Sequence, residues 1–520
     1  MKTKTLKPLL RSPKWVLTVL VCALGMQPAW TQNNALPTLG NSEGISLGAE
    51  RKLGDRIARE LYRDPDYLED PVLDEYIQRL WAPLVKAAVA RGELSPELQE
   101  RFAWRILLGR DRSVNAFALP GGYLGVHLGL IAVVSSNDEL ASVLAHELSH
   151  VTQRHIARSM DEQGKMTPLL IGSMILGALA ISKNPQAATG LMVGGQAAAI
   201  QSQLRYSRDM EREADRVGFG VLADAGYDTQ GFVGMFAKLQ QAAGVNDNGA
   251  FPYLRSHPLT TERIADMQSR LQLNNSTARP STDLAQAMMA ARARAMSQNS
   301  PEALKAWTQD GKATSAQATP AQKAGALYAA TLAHLQLRNA SEAERTATAL
   351  SGVVSSLVLP NAPQSDALRL VTLLQAEVAA KNDRFAQALK TLESLNHTTL
   401  PRPELMATAE AFLRLPEQPG RTKITQLLRE QVTLNPHDAQ AWNTLARLLA
   451  MQGQMLASLR AEGEAQMARM DWSGAVDRFR AAQDWAKNNR LQAGDHIEAS
   501  IVDARLRQTQ ALVREMQTER

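Results

Sequence analysis

Two histidines and a glutamate stand at the spacing with which a helix can bind one metal ion. They are His146, Glu147 and His150, in the stretch HELSH. Residues four apart lie one turn apart on the same face of a helix, so both imidazoles can bind the same ion. The glutamate beside the first histidine can take a proton from a water molecule at the open coordination position. The pattern predicts a hydrolytic zinc site with Glu147 as general base; the alternative is a helix with two surface histidines.

A hydrolytic zinc needs a third protein ligand, and a charged stretch downstream offers one. In residues 206–218, Glu211 and Asp215 are four apart and therefore share a helical face. We expect Glu211 to be the third ligand. We expect Asp215 to accept the second N–H of a ligand histidine and so to fix its tautomer. The alternative for this stretch is a solvated helix face with internal ion pairs.

A third histidine soon after HELSH is the other arrangement found in zinc peptidases. It requires Gly and His where this chain has Gln153 and Ile156. His155 is displaced by one residue, and we expect it to be structural.

The residues before HELSH predict the helix that presents it. Ser136 followed by Glu139 is a capping box, which places the start of the helix near Asn137. Leucines and a valine recur at helical spacing and predict an apolar stripe on roughly the opposite side from the histidines. This stripe consists of Leu140, Leu144, Leu148 and Val151.

The chain changes composition once, which predicts two domains. Residues 46–270 mix helical periodicity with strand-like runs such as 123–131, whereas residues 284–520 are rich in Ala, Leu, Gln and Arg. The polar stretch 271–283 is typical of a linker. In the second domain, small and large residues alternate as in tetratricopeptide repeats, most clearly at Gly463 and Phe479. The alternative for this domain is an irregular helical bundle.

Residues 1–31 have the composition of a secretory signal peptide. Their five lysines and arginines, with no acid, account for the whole net charge of +5, so a neutral mature chain gives no reason to expect nucleic-acid binding. The apolar run 15–26 is too short to span a bilayer. We expect a flexible segment at 32–45 and a periplasmic protein. The only cysteine, Cys22, would be removed with the leader.

Two further apolar runs, 168–181 and 187–200, are each about 14 residues long, short of the ~20 that a membrane helix needs. We expect buried or cleft-covering helices and no transmembrane span, with transient membrane contact left open.

Three motifs together resemble peptidase family M48: HELSH, then YSRDMEREAD at 206–215, then SHPLTTERIADM at 256–267. The resemblance implies an α+β zincin-like (gluzincin) domain followed by the tetratricopeptide-like helices, with one Zn²⁺ per chain. It assigns His146, His150 and Glu211 as ligands and Glu147 as general base. His257 would be a fourth ligand in the resting enzyme, or latency switch; alternatively it caps the helix that begins at Thr260 or Thr261.

The resemblance also implies where substrates bind and what they are. An extended substrate would add to the edge strand formed by Asn115, Ala116, Phe117 and Ala118. The partners would be misfolded or stalled envelope proteins, above all outer-membrane β-barrel proteins and their assembly machinery. Two alternatives stay open: a chaperone or assembly adaptor with a largely latent zinc site, and an integral-membrane peptidase that uses 168–200 as spans.

Overall fold

The computed structural model describes most of the chain after residue 44. The described ranges are 45–162, 207–244, 251–273, 283–311, 317–357, 366–395, 399–416, 419–492 and 494–518. The predicted signal peptide, nearly all of the flexible segment, most of the predicted linker and the apolar runs between 168 and 200 lie outside these ranges.

The first part of the described chain combines helices with four short strands. The helices are α1 (Leu47–Arg63), α2 (Pro71–Ala90), α3 (Pro96–Arg101), α4 (Leu128–Val133), α5 (Asn137–Thr152), α6 (His155–Glu162), α7 (Arg208–Asp224), α8 (Gln230–Gly244), α9 (Tyr253–Ser256) and α10 (Thr261–Leu273). The strands are β1 (Tyr67–Leu68), β2 (Arg105–Gly109), β3 (Ala116–Leu119) and β4 (Tyr123–His127).

The four strands form one sheet in the order β1-β2-β4-β3. β2 and β4 are parallel, while β1 and β3 join them as antiparallel edge strands. Gly125 of β4 lies under the Phe117 ring of β3, because a Cβ at this glycine would meet the ring at 2.1 Å. This close contact keeps β3 against the sheet, and α5 packs beside the same strand.

The rest of the described chain is helical. Its helices are α11 (Leu284–Ser297), α12 (Pro301–Asp310), α13 (Pro320–Gln336), α14 (Ala340–Ser355), α15 (Asp366–Lys381), α16 (Phe385–Glu393), α17 (Arg402–Arg414), α18 (Arg421–Leu434), α19 (Ala439–Met451), α20 (Met455–Ala468), α21 (Trp472–Asn488) and α22 (Asp495–Thr518). The α+β part of the described chain, within residues 45–273, is called the peptidase region after the sequence prediction, and the helices within 284–518 form the helical region. An α+β region followed by an all-helical region confirms the predicted fold class.

Small residues in the helical region allow neighbouring helices to approach closely, as the sequence predicts. A Cβ at Gly463 of α20 would meet the Phe479 ring of α21 at 2.4 Å, and Phe479 is fully buried. The turn between these helices contains Met470 at φ 58°. The glycine therefore accommodates the aromatic ring, and the left-handed turn brings the two helices side by side.

One hydrophobic core extends from the peptidase region into the helical region. It includes Leu80 of α2, Leu144 of α5, Met289 of α11, Tyr328 of α13 and Leu370 of α15. α11 packs directly on α4, and the Gln286 amide donates to the Val134 carbonyl at 2.6 Å. The first helices of the helical region thus help to bury the peptidase region.

Ion pairs join the same two regions along the acidic stretch, residues 69–75. Four carboxylates in this stretch each bind an arginine of the helical region at 2.5–3.2 Å. The pairs are Glu69 with Arg469, Asp70 with Arg292, Asp74 with Arg402, and Glu75 with Arg369. Three of these arginines also bind an acid of the helical region, namely Glu377, Asp438 and Glu404.

Across the described ranges, none of the helices is both long enough and apolar enough to cross a membrane.

Candidate metal centre

Helix α5 positions His146, Glu147 and His150 as the sequence predicts. The Ser136 hydroxyl accepts the Glu139 N–H at 3.1 Å and starts the helix at Asn137. The Glu139 carboxylate accepts the Ser135 N–H at 2.6 Å, one residue earlier than in the standard capping box. The predicted apolar stripe is buried, and so is the histidine side of the helix. The histidine side is buried because α7 and the segment around His257 cover it.

Helix α7 presents Glu211 and Asp215 to α5. Gly218 lies seven residues after Glu211 and three after Asp215, so it shares one face of α7 with both acids. A Cβ at Gly218 would lie only 3.1 Å from the Ala145 carbonyl oxygen of α5. The absence of a side chain at this position lets the two helices approach closely enough for both carboxylates to reach the histidines.

His257 enters the site from the short helix α9. Its N–H donates to the Tyr253 carbonyl at 2.9 Å, and its ring stacks on the Tyr253 ring with centroids 4.5 Å apart. The helix that follows is capped by Thr260, whose hydroxyl accepts the Arg263 N–H at 3.2 Å. His257 therefore does not cap that helix and lies with its imidazole against the other histidines.

Four donor atoms converge on one point. Those of His146, His150, Glu211 and His257 all lie within 4.8 Å of one another. The two Nε2 atoms of His146 and His150 are 2.9 Å apart, and His257 Nδ1 is 3.3 Å from His146 Nε2 and 3.0 Å from Glu211 Oε1. Ligand atoms about 2.0–2.1 Å from a tetrahedral zinc would be about 3.3–3.4 Å apart. The four side chains thus fit the spacing of a zinc site.

The charges of the buried groups also fit a divalent cation. Glu147, Glu211 and Asp215 are at most 1% exposed, and the buried cation Arg263 pairs with Glu211 and Asp215. Apart from the histidines, three carboxylates against one guanidinium leave two negative charges. Buried charge without a counterion is costly, so an ion of charge +2 would neutralise the site.

The pKa shifts favour the ligand forms of two of these side chains. Burial lowers the pKa of His150 well below its ordinary value, which keeps the imidazole neutral. Burial alone would raise the pKa of Glu211, but the nearby imidazoles of His257 and His150 lower it by more, to well below its ordinary value. A neutral imidazole and an ionised carboxylate are the forms that bind metals.

The outer nitrogens of the two helical histidines both lie close to a neighbouring side chain. His146 Nδ1 lies 2.9 Å from an oxygen of Asp215, the acid that the sequence predicts beside a ligand histidine. His150 Nδ1 lies 2.9 Å from His155 Nδ1, and burial lowers the pKa of His155 to about 4. His155 contributes no donor atom to the metal group, but it directly contacts a residue that does.

Glu147 lies between the metal group and the edge strand β3. Its Oε2 accepts the Ala118 N–H at 2.9 Å, while Oε1 has no hydrogen-bond partner among the described residues and is 3.5 Å from His257 Nε2. Because the Ala118 N–H binds Glu147, it points away from β4 and towards the open edge of the sheet. The predicted strand residues 115–118 therefore run past the catalytic candidate, and Asn115 immediately precedes β3.

The motifs did not indicate that Arg263 and His155 contact the residues of the metal centre. Arg263 binds both oxygens of Asp215 at 2.6 and 2.8 Å and Glu211 Oε2 at 2.7 Å. In the sequence, an arginine in a charged helix is typical of a solvated face, and HELSH gives no signal for a partner at 155. Predicting the contacts of these two residues would require knowledge of how α5, α7 and α10 pack.

The site combines a buried group of three imidazoles and a carboxylate with a further carboxylate beside it, all within an α+β domain. This combination is typical of metallopeptidases. Residues 74–271 match the model of peptidase family M48. The chain is 30% identical over 500 residues to a Vibrio cholerae protein provisionally named beta-barrel assembly-enhancing protease, a match that covers 90% of this chain and 93% of the relative. This chain belongs to peptidase family M48 and is a metallopeptidase.

Other relatives match a shorter part of the chain. The beta-barrel assembly-enhancing protease of Escherichia coli is 33% identical over 246 residues, which is 47% of this chain and 48% of the relative. The mitochondrial metalloendopeptidase OMA1 of Arabidopsis thaliana is 31% identical over 198 residues, which is 38% of this chain and 36% of the relative.

Proposed function

We propose that this protein is a zinc-dependent endopeptidase of the bacterial periplasm that acts in quality control and assembly of outer-membrane proteins. The observation that carries the proposal is the convergence of four buried donor atoms beside a carboxylate oxygen that has no hydrogen-bond partner in the described part of the chain. In this proposal residues 46–270 are the peptidase domain, 271–283 the linker and 284–520 a tetratricopeptide-like domain that binds substrates or partners.

His146, His150 and Glu211 would hold the zinc ion, one per chain. When bound, zinc acts as a Lewis acid that polarises a peptide carbonyl and makes water more acidic. Asp215 would hold the His146 ring in the tautomer whose Nε2 lone pair faces the ion. The site thus offers the neutral imidazole of His150 and the ionised carboxylate of Glu211 as ligands.

Glu147 would be the general base and then the general acid. Its Oε2 is held by the Ala118 N–H, which leaves Oε1 to take a proton from the attacking water and to deliver it to the leaving amine. An extended substrate would add to the edge of β3 at Ala116, and so place its backbone beside this carboxylate.

His257 would keep the resting site latent. Its Nδ1 lies within the donor group, where the substrate carbonyl or water would otherwise bind, and the five residues of the site are at most 2% exposed. Catalysis would therefore require the His257 segment to move away from the other three ligands.

The proposed location and substrates rest on the leader and on the relatives. A signal peptide at residues 1–31 would direct the chain to the periplasm, and the names of the Vibrio and Escherichia relatives refer to β-barrel assembly. Misfolded or stalled outer-membrane β-barrel proteins and their assembly machinery are accordingly the proposed partners. Contact with the membrane would be peripheral.

Glu147→Gln tests the proposal, because the amide cannot take the proton while the zinc ligands stay in place. We expect wild type and Glu147→Gln to contain equal zinc, and only wild type to degrade an unfolded outer-membrane protein. Zinc would be measured in the purified protein and degradation by loss of the intact substrate. Glu302→Gln, an exposed change on α12, is the matched control and should degrade as wild type does. Undiminished degradation by Glu147→Gln would refute the assigned base.

The burial of the site keeps the chaperone or assembly adaptor as the second candidate. If the protein is an adaptor, the wild type and Glu147→Gln should support β-barrel assembly equally well. Assembly of an outer-membrane protein in cells that lack the wild-type chain, measured with either form, separates the two candidates.

A further inference from the structure

His155 connects the candidate ligand His150 to the protein surface. It is the first residue of α6, is fully buried, and its ring meets the His150 ring edge-on with centroids 4.9 Å apart. The two Nδ1 atoms are 2.9 Å apart, a hydrogen-bond distance. One of these nitrogens must therefore donate and the other accept.

The opposite nitrogen of His155 faces a carboxylate. His155 Nε2 lies 3.1 Å from Glu213 Oε2, which also accepts from the Arg158 guanidinium at 2.8 Å. Glu213 belongs to α7, the same helix that carries Glu211 and Asp215. Helix α7 thus reaches His146 through Asp215 and reaches His150 through Glu213 and an inserted imidazole.

The order of these groups determines where the protons lie. A carboxylate only accepts, so His155 Nε2 must carry the proton that it donates to Glu213. The Nδ1 of a neutral ring is then an acceptor, and the proton between the two histidines belongs to His150 Nδ1. His150 Nε2 is left with its lone pair, which faces the other donor atoms of the metal group.

We propose that His155, oriented by Glu213 and Arg158, is a positioning residue that fixes the tautomer of His150 for metal binding. The proposal rests on the proposed function, in which His150 is a zinc ligand. Both helical histidines would then be held by the same device, a carboxylate paired with an arginine: Asp215 with Arg263 at one, Glu213 with Arg158 at the other.

Two substitutions of His155 separate this role from simple filling of space. In His155→Gln, the side-chain oxygen can accept from His150 while the amide donates to Glu213, so the relay is preserved. His155→Phe fills the volume and can do neither. We expect His155→Phe to weaken zinc binding by about 10–100-fold, as loss of an outer partner of a ligand does, and His155→Gln to retain most of the affinity. Competition with a chromophoric zinc chelator on the purified full-length chain measures this.

His334→Phe is the matched control, since it removes a buried imidazole in α13, outside the metal group. It should leave the zinc affinity unchanged, and thermal unfolding of each zinc-free variant reports any general loss of stability. Equal zinc affinities in wild type and His155→Phe, or equal losses in His155→Phe and His155→Gln, would overturn the relay. Failure of the wild type to bind zinc would instead refute the proposed function.

Glu213→Ala provides a second test if His155→Phe does not fold, because the Glu213 side chain is partly exposed. Glu262→Ala removes an exposed acid of α10, also paired with an arginine, and is its control. We expect weaker zinc binding only in Glu213→Ala. Unchanged zinc binding in this variant would overturn the relay.

Discussion

At the scale of single residues, the guanidinium of Arg263 connects three parts of the metal centre. It binds Asp215 and Glu211 of α7 and donates to the Pro258 carbonyl at 2.9 Å, next to His257. A buried cation with three such contacts holds two carboxylates and one histidine segment in a fixed relation. Removing one member of a buried ion pair leaves an uncompensated charge, so this arginine supports both the fold and the site.

His257→Ala tests latency at the same scale. If His257 blocks the resting site, the variant should retain zinc through the three remaining ligands and degrade casein faster than wild type without any activating partner. Zinc content, basal casein degradation and thermal unfolding would be measured on the same preparations. Zinc retained with lower proteolysis would instead assign His257 to stabilisation of the developing oxyanion.

The sequence predicted the ligand candidates better than their support. HELSH and the four-residue spacing of Glu211 and Asp215 are local patterns, and the structure brings all of these side chains together. Arg263 and His155 carry no such pattern. Their burial results from the packing of α5 and α6 against α7 and α10, which come much later in the chain.

At the scale of elements, four turns of the helical region share one conformation. Each has a left-handed residue two positions before the next helix begins. These residues are Arg338, Asp383, Gly453 and Met470, at φ between 58° and 73°. The same left-handed position therefore recurs between helices even though the sequence does not keep a strict repeat length. Since three of the four are not glycine, composition alone did not reveal this regularity.

Two glycine-to-alanine changes should therefore have opposite effects. Gly453 is left-handed at φ 73°, so Gly453→Ala should lower stability by about 1 kcal/mol. Gly352 lies within α14, where alanine is favoured over glycine by about 0.5–1 kcal/mol. A Cβ at either position meets nothing within 4 Å, so new side-chain contacts should not contribute to either change in stability. Thermal unfolding midpoints check it, and a shift of the same sign in both variants would contradict the assigned turn.

A strand-like run shows where element prediction failed. Residues 123–131 are mostly apolar and predict one strand, but the structure ends β4 at His127 and continues as α4. Short apolar runs do not distinguish a buried strand from a buried helix. Here the contact with α11 decides, because α4 packs against that helix.

At the scale of the whole molecule, the acidic stretch joins the peptidase and helical regions. Its partners come from four different parts of the helical region, up to 400 residues away in the chain. In the sequence, these acids are typical of a solvated helix start. Only the arrangement of both regions shows that the arginines bind them, so the boundary predicted at 271–283 gives no indication of this contact.

Asp70 should make the stability of the assembled chain sensitive to acid. Burial raises the pKa of Asp70, but Arg292 and backbone N–H groups lower it by more, so the pKa lies below its ordinary value. A lowered pKa in the folded state adds stability above about pH 4, the unfolded value, and this stability is lost as the pH falls further. Asp70→Asn should therefore unfold at a lower temperature than wild type at pH 7. The difference between the two unfolding temperatures should become smaller below pH 4.

Asp484→Asn, an exposed change on α21, is the control and should follow the wild type at every pH. Thermal midpoints between pH 7 and pH 3 provide the measurement. A constant difference between the unfolding midpoints of wild type and Asp70→Asn across this range would show that Asp70 stabilises the fold through packing and not through its charge.

The acidic stretch also limits how such a chain can be recombined. In a hybrid that joins this peptidase region to another helical region, the four carboxylates would keep their ion pairs only if the new surface carried arginines at the same four places. The hybrid would also separate α11 from the core that it shares with α2 and α5. Any exchange of halves, in the laboratory or by gene fusion, must therefore transfer both sides of the acidic stretch together.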